Sequence, residues 1–135
     1  MFTSETKIRV RYGETDQMGY VYYGNYASYF EVARVEAIRA AGFTYRMMEE
    51  SGVGMPVAHM SIDYKRPAKY DDLITIKTEI AELPSSKLKL YHEVYSEAGE
   101  LLTKAHLVLV FINMETHRPT RCPQMFIDGL APYFS

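Results

Sequence analysis

A chain of 135 residues is the size of one domain, and 47% hydrophobic against 24% charged residues is a globular balance that excludes a disordered tail and a collagen-like chain. Fifteen Lys and Arg against seventeen Asp and Glu leave a formal charge of -2, so no broad positive field favours nucleic acid, and an anionic ligand must be met by a local patch. The single cysteine, Cys122, rules out an intramolecular disulfide and every multi-cysteine zinc or iron–sulfur spacing.

From Lys7 to Tyr12 apolar and basic residues alternate, which predicts a half-buried strand ending at Gly13. Gly13 to Gly24 reads as an irregular loop, long for a plain connector. Around it lie Tyr12, Tyr20, Tyr22, Tyr23, Tyr26 and Tyr29, half of the chain's twelve tyrosines. Asn25 is a suitable N-cap, and Phe30, Ala33, Ala37 and Ala41 recur at helical spacing up to a Gly42 stop. The expected helix has roughly sixteen residues, is about 24 Å long, and carries a mostly alanine buried face. A short helix over Tyr45 to Glu50 follows, then strands over Val57 to Lys65, Leu73 to Glu82, Lys87 to Ser96 and Leu101 to Asn113, separated by turn chemistry. The apolar run Leu107 to Ile112 is expected to lie centrally, covered on both faces. A last amphipathic piece, Gln124 to Leu130, is suited to cap an edge.

This order predicts an α+β domain over 1–135, one long helix against a curved, five-stranded, mainly antiparallel sheet. A sheet with an apolar outer edge invites a second copy, so a homodimer, or a homotetramer built from it, is expected. Met1 to Arg11 has no apolar run and no stretch approaches the ~18 apolar residues of a membrane span, so the expected location is cytoplasmic, with no membrane and no nucleic-acid partner.

No nucleophile elbow, Walker-type glycine run or dinucleotide fingerprint occurs. His59, His92, His106 and His117 are too far apart for a His-x3-His metal pair. Three of them fall on polar positions of expected strands or in a turn, whereas His59 precedes Met60 on a strand expected to border a pocket. The informative segment is Asp16 to Asn25, which runs straight into the long helix. Asp16 taken alone is more often a turn residue whose carboxylate bonds nearby amides. Beside a helix start, the same carboxylate meets the positive end of the peptide dipoles, and the pair suits metal-free acyl transfer: carboxylate as nucleophile or base, free N–H groups as oxyanion hole.

Arg11-Tyr12, Thr15-Asp16, Gly19, Val21-Tyr22-Tyr23, Asn25-Tyr26, Phe30-Glu31 and Ala33-Arg34 together resemble the N-terminal signature of the 4-hydroxybenzoyl-CoA thioesterase-like, hotdog-fold acyl-CoA thioesterases. Ile62 to Ala68 with Asp72, and Arg118-Pro119 with Pro123, are similar to the family's downstream pattern. The resemblance implies a sheet wrapped around a long helix, dimers with sites at the subunit interface, and an active-site aspartate at Asp16. Seven residues on, the Tol-Pal-associated branch has histidine and the 4-hydroxybenzoyl branch tyrosine. Tyr23 fits the second, in which the residue's backbone N–H polarises the thioester carbonyl.

Expected acyl-pocket residues are Tyr22, Asn25, Tyr26, His59 and Met60, while Tyr12 and Tyr29 are assigned to core or interface packing. The phosphates of coenzyme A need local cations and hydroxyls, for which Arg66 leads, with Lys65, Lys69, Ser85, Ser86 and Lys87. No cofactor or metal is expected. The substrate expected is an acyl-CoA, or an acyl group on acyl carrier protein. The alternatives are a hotdog protein that binds a thioester without cleaving it and, last, a dehydratase or hydratase.

Overall fold

In the computed structural model, which describes residues 1–134, five antiparallel strands form one sheet with a 15-residue helix, α1 (Tyr26–Ala40), against one face. Two-residue strands β2 (Val53–Gly54) and β7 (Ile112–Asn113) pair separately. The main strands are β1 (Phe2–Arg9), β3 (Val57–Tyr64), β4 (Leu73–Ile80), β5 (Lys87–Tyr95) and β6 (Leu101–Val110), in the order β1-β4-β5-β6-β3. This is the α+β hotdog arrangement expected from the resemblance.

The period-2 pattern decides which face meets α1. Ile74, Ile76 and Ile80 of β4, Leu88, Leu90 and Val94 of β5, and Ala105, Leu107 and Leu109 of β6 are buried. Lys77, Glu79, Lys89, Glu93 and Lys104 occupy intervening positions on those strands. From α1 the sheet receives Tyr26, Tyr29, Phe30, Ala33, Ala37 and Ile38. Phe30 and Tyr29 were expected there, whereas Tyr26 and Ile38 add to the face that the alanine spacing marks. Full burial of a side chain such as Phe30 contributes about 1.5–3 kcal/mol.

Gly42, at φ 87, ends α1 as expected. Its N–H donates to the Arg39 carbonyl and the Phe43 N–H to that of Ile38, the paired bonds of a Schellman stop. After α2 (Tyr45–Glu50), capped by Thr44, the chain crosses to the far edge and begins β3. The tail helix α3 (Gln124–Leu130) lies on the end of α1, with Phe126 stacked on Phe43 at 5.3 Å. The turn that follows, Ala131–Phe134, reaches the sheet edge, where Tyr133 meets Phe2.

Several expectations are corrected. β1 starts at Phe2 rather than Lys7 and ends at Arg9, and Tyr12 lies beyond it in a single helical turn, 77% exposed in the single chain and outside its core. β6 is one strand in from the edge and β5 is the middle strand, while Val108 and Val110 are only half-buried on their outward face. Asn25 does not cap α1 through its side chain: its backbone is already helical, and its amide Nδ2 donates to the Glu14 carbonyl at 2.8 Å. His92, read as a polar-face residue, shares the inward face with Leu90 and Val94 and is 1% exposed.

Candidate active site

The loop before α1 is tied to the segment that follows β3. Val21 N–H donates to the Ala68 carbonyl at 2.8 Å, Tyr70 N–H donates to that of Gly19, and Tyr20 bridges to Lys69. These bonds carry Tyr64 to Pro67 onto the loop, although some fifty residues separate them from Asp16 in the sequence.

Asp16 heads a tight turn closed by Gly19 at φ 78, with Gly19 N–H on the Asp16 carbonyl and Asp16 N–H on that of Tyr20. One carboxylate oxygen, Oδ1, accepts from Met18 N–H at 2.9 Å and Tyr20 N–H at 3.2 Å. The turn role that aspartate commonly plays is therefore fulfilled by Oδ1. Among the described residues Oδ2 has no donor.

Six residues on, Tyr22 is extended at φ -60, ψ 130, and Tyr23–Asn25 forms one tight helical turn that merges into α1. Asn25 N–H bonds the Tyr22 carbonyl and Tyr26 N–H that of Tyr23. The first N–H groups of a helical turn have no acceptor inside it, and among the described residues those of Tyr23 and Gly24 find none elsewhere.

An open cavity of about 340 Å³ joins the two features. Asp16, Tyr20, Val21 and Tyr23 of the loop line it together with Tyr26 of α1 and with Tyr64 to Pro67. The Tyr64 hydroxyl donates to the Tyr23 carbonyl at 3.3 Å, and its ring meets that of Tyr26 edge-on at 5.3 Å. Burial raises the pKa of the Tyr26 and Tyr64 phenols, and the hydrogen bond with Tyr23 raises that of Tyr22, so all three stay protonated at neutral pH. Arg66 Nη1 lies 3.5 Å from Glu100 Oε2, an exposed pair that contributes little and leaves the guanidinium able to take an anion.

Of the residues singled out in the sequence, the fold gathers Asp16, Tyr23, Tyr26, Lys65 and Arg66 into this cavity. Tyr22 lies outside its lining, its ring tilted on Tyr23 at 4.7 Å, and Asn25 is engaged with Glu14. Lys69 is held by its backbone N–H on the Asp72 carboxylate. Ser85, Ser86 and Lys87 line a separate hollow with Glu82 and Lys89. His59 and Met60 sit on the sheet's edge strand, His59 being 6.2 Å ring to ring from His106. Tyr20 and Tyr64 were missed as site residues; Tyr64 carried a signal, as an aromatic residue directly before the Lys-Arg-Pro turn. Among the described residues no group of three or more His, Cys, Asp or Glu could hold a metal ion.

Chemically, Asp16, whose Oδ2 has no donor among the described residues, lines one cavity with Tyr23, the first residue of the helix start, whose N–H has no acceptor among them. Known proteins resemble this chain along nearly its whole length. Bacillus subtilis YneP is 37% identical over 133 residues, covering 98% of this chain and 96% of its own. The acyl-CoA thioester hydrolase YbgC of Escherichia coli is 28% identical over 120 residues, covering 89% and 90%. A DHNA-CoA thioesterase structure from Staphylococcus aureus superposes with a TM-score of 0.90 at 37% identity, covering 98% of this chain and 89% of that one. The thioesterase-like superfamily matches residues 10–130, and the chain belongs to it, a thioester hydrolase built on the hotdog fold.

Proposed function

We propose that the protein hydrolyses an acyl-CoA thioester to free acid and CoA, with Asp16 at the reacting carbonyl carbon and the Tyr23 N–H on its oxygen. The observation that supports this is the pairing, in one cavity, of Asp16, whose Oδ2 has no donor among the described residues, with Tyr23 at a helix start whose N–H has no acceptor among them.

Two routes share this geometry. As nucleophile, Asp16 Oδ2 bonds to the carbonyl carbon, the CoA thiolate leaves and is protonated, and water then hydrolyses the mixed anhydride to the acid and Asp16. As base, Asp16 takes a proton from water, whose oxygen adds to the carbon before the thiolate leaves with that proton. In both, the carbonyl oxygen becomes an oxyanion in the intermediate. An N–H placed for that charge is worth about 2.7–4 kcal/mol.

Arg66 and Lys65, within the cavity, are assigned to CoA phosphates near the thioester arm, with Lys69 and the Ser85, Ser86 and Lys87 hollow as outlying contacts. Tyr22 and Asn25 flank the acyl side of the helix start. We place two copies edge to edge along β3, which carries His59 and Met60 into the shared interface. Cys122 is buried, its thiol pushed up to about 12 by burial, and this unreactive lone thiol suits the cytoplasm.

The test is a panel of aliphatic and aromatic acyl-CoAs, DHNA-CoA included, with one acyl carrier protein thioester, monitored by a thiol reagent. Release of free CoA supports the reading; release only from the carrier changes the donor. Tight binding without release makes the protein a thioester-binding module instead.

A further inference from the structure

Two residues before Asp16, the Glu14 carboxylate is 17% exposed at its side chain and fully engaged. Oε1 accepts from Arg11 N–H at 2.8 Å and from the Tyr29 hydroxyl at 2.9 Å, and Oε2 from Arg11 Nη2 at 2.9 Å and Nε at 3.3 Å. The Glu14 carbonyl accepts from Tyr22 N–H at 2.9 Å and Asn25 Nδ2 at 2.8 Å. One residue thus ties the end of the first strand segment, the residues on either side of the Tyr23–Gly24 pair, and the first turn of α1.

We infer that Glu14 is a positioning residue for the hydrolysis, setting Asp16 at its working distance from the Tyr23 and Gly24 N–H groups. The inference rests on the proposed reading of Asp16. Asp16 lies two residues along the chain from this clasp, and the helix start is held to the Glu14 main-chain carbonyl by Tyr22 and Asn25. The Glu14 side chain itself joins Arg11, ahead of the Asp16 turn, to Tyr29 in the first turn of α1. Burial works against the charge on Glu14, but the Arg11 side-chain and backbone bonds and the Tyr29 hydroxyl outweigh it and hold the carboxyl below its ordinary range, so the clasp is closed at neutral pH. A neutral amide in its place turns an NH2 group toward Arg11 and loses the charged acceptor. A shift of one ångström between reacting groups costs up to about a hundredfold in rate.

The test is kcat and KM on the best panel substrate for wild type, Glu14→Gln, Tyr29→Phe, Asp16→Asn and the double variant Glu14→Gln/Asp16→Asn. Glu14→Gln is expected to lower kcat about ten- to a hundredfold with KM changed less than about threefold. Tyr29→Phe, which deletes one bond and keeps the buried ring, lowers the same parameter less, and carries the comparison if Glu14→Gln does not fold. In the Asp16→Asn background Glu14→Gln should lower the residual rate less than about threefold, because the group it positions is gone. Equal proportional losses in both backgrounds overturn the inference, leaving Glu14 as a support of the fold alone. Wild-type kcat in Glu14→Gln with an inactive Asp16→Asn overturns the inference and leaves the site reading standing. An active Asp16→Asn overturns both.

Discussion

The ring of Phe30 lies flat on that of His92, 4.8 Å between centroids and 7° from parallel, sealing an imidazole between α1 and the sheet. Its Nδ1 is 2.9 Å from the Thr78 hydroxyl, and among the described residues Nε2 has no partner. Burial, then the nearby Arg34 charge, pushes His92 down to about 4 from 6.5. Between these values the unfolded chain binds a proton that the folded one refuses. Stability is therefore full above pH 6.5 and is lost as the pH falls toward 4. At about 1.4 kcal/mol per pH unit the loss comes to about 3 kcal/mol. Urea midpoints between pH 7 and 4 should fall more steeply for wild type than for His92→Leu; equal slopes would mean that His92 does not titrate with unfolding.

Replacing Asp16 by Asn preserves the Oδ1 acceptor for Met18 and Tyr20, so the turn should stay closed. It removes the open anionic oxygen. The expected result is an unchanged melting curve and a loss of kcat on the best panel substrate of at least about a hundredfold, the low end of what general base catalysis contributes. Near wild-type turnover would take Asp16 out of the mechanism.

What the sequence makes legible follows from which forces are local. β4, β5 and β6 announce themselves because Ile, Leu and Val fill alternate positions. β1 announces only its end, Lys7 to Arg9, since its earlier inward positions include Ser4 and Thr6, and its register is set by pairing with β4, Thr6 opposite Ile76 and Ile8 opposite Ile74. His92 reads as polar until its neighbours Leu90 and Val94 show which face it shares. Asp16 stands out through its glycine-bordered loop, but no local pattern brings Arg66 and Tyr64 to it. That meeting depends on backbone bonds from Val21 to Ala68 and from Tyr70 to Gly19. Glu14 looks like any surface carboxylate until Arg11 and Tyr29 close on it.

β3 exposes Val57 at 46%, Met60 at 41% and Tyr64 at 49% on an open sheet edge, the kind of strand that pairs with another copy. Light scattering at micromolar concentration should find at least two copies. Met60→Arg, which places an unpaired charge on that edge, should shift the population toward one chain of 15.6 kDa and reduce activity along with it. A wild-type monomer with full activity would exclude a shared site.

Tyr23 separates side chain from backbone chemistry, because three substitutions there remove different groups. Tyr23→Phe deletes only the hydroxyl, which matters little if the N–H carries the function, so its effect on kcat should stay below the tenfold that about 1.4 kcal/mol represents. Tyr23→Ala deletes the ring and keeps the N–H, measuring what the aromatic wall of the cavity contributes. Tyr23→Pro deletes the N–H. The backbone tolerates it: Tyr23 is the first residue of a helical turn, where proline is favoured, and Tyr22 before it is already extended at φ -60, ψ 130 as a pre-proline residue must be. Losing one oxyanion donor costs about 10²–10³ in turnover, so Tyr23→Pro should fall that far below Tyr23→Ala with the melting curve retained. If instead Tyr23→Phe alone drops a hundredfold while Tyr23→Pro matches Tyr23→Ala, the phenol and not the helix-start amide acts on the thioester.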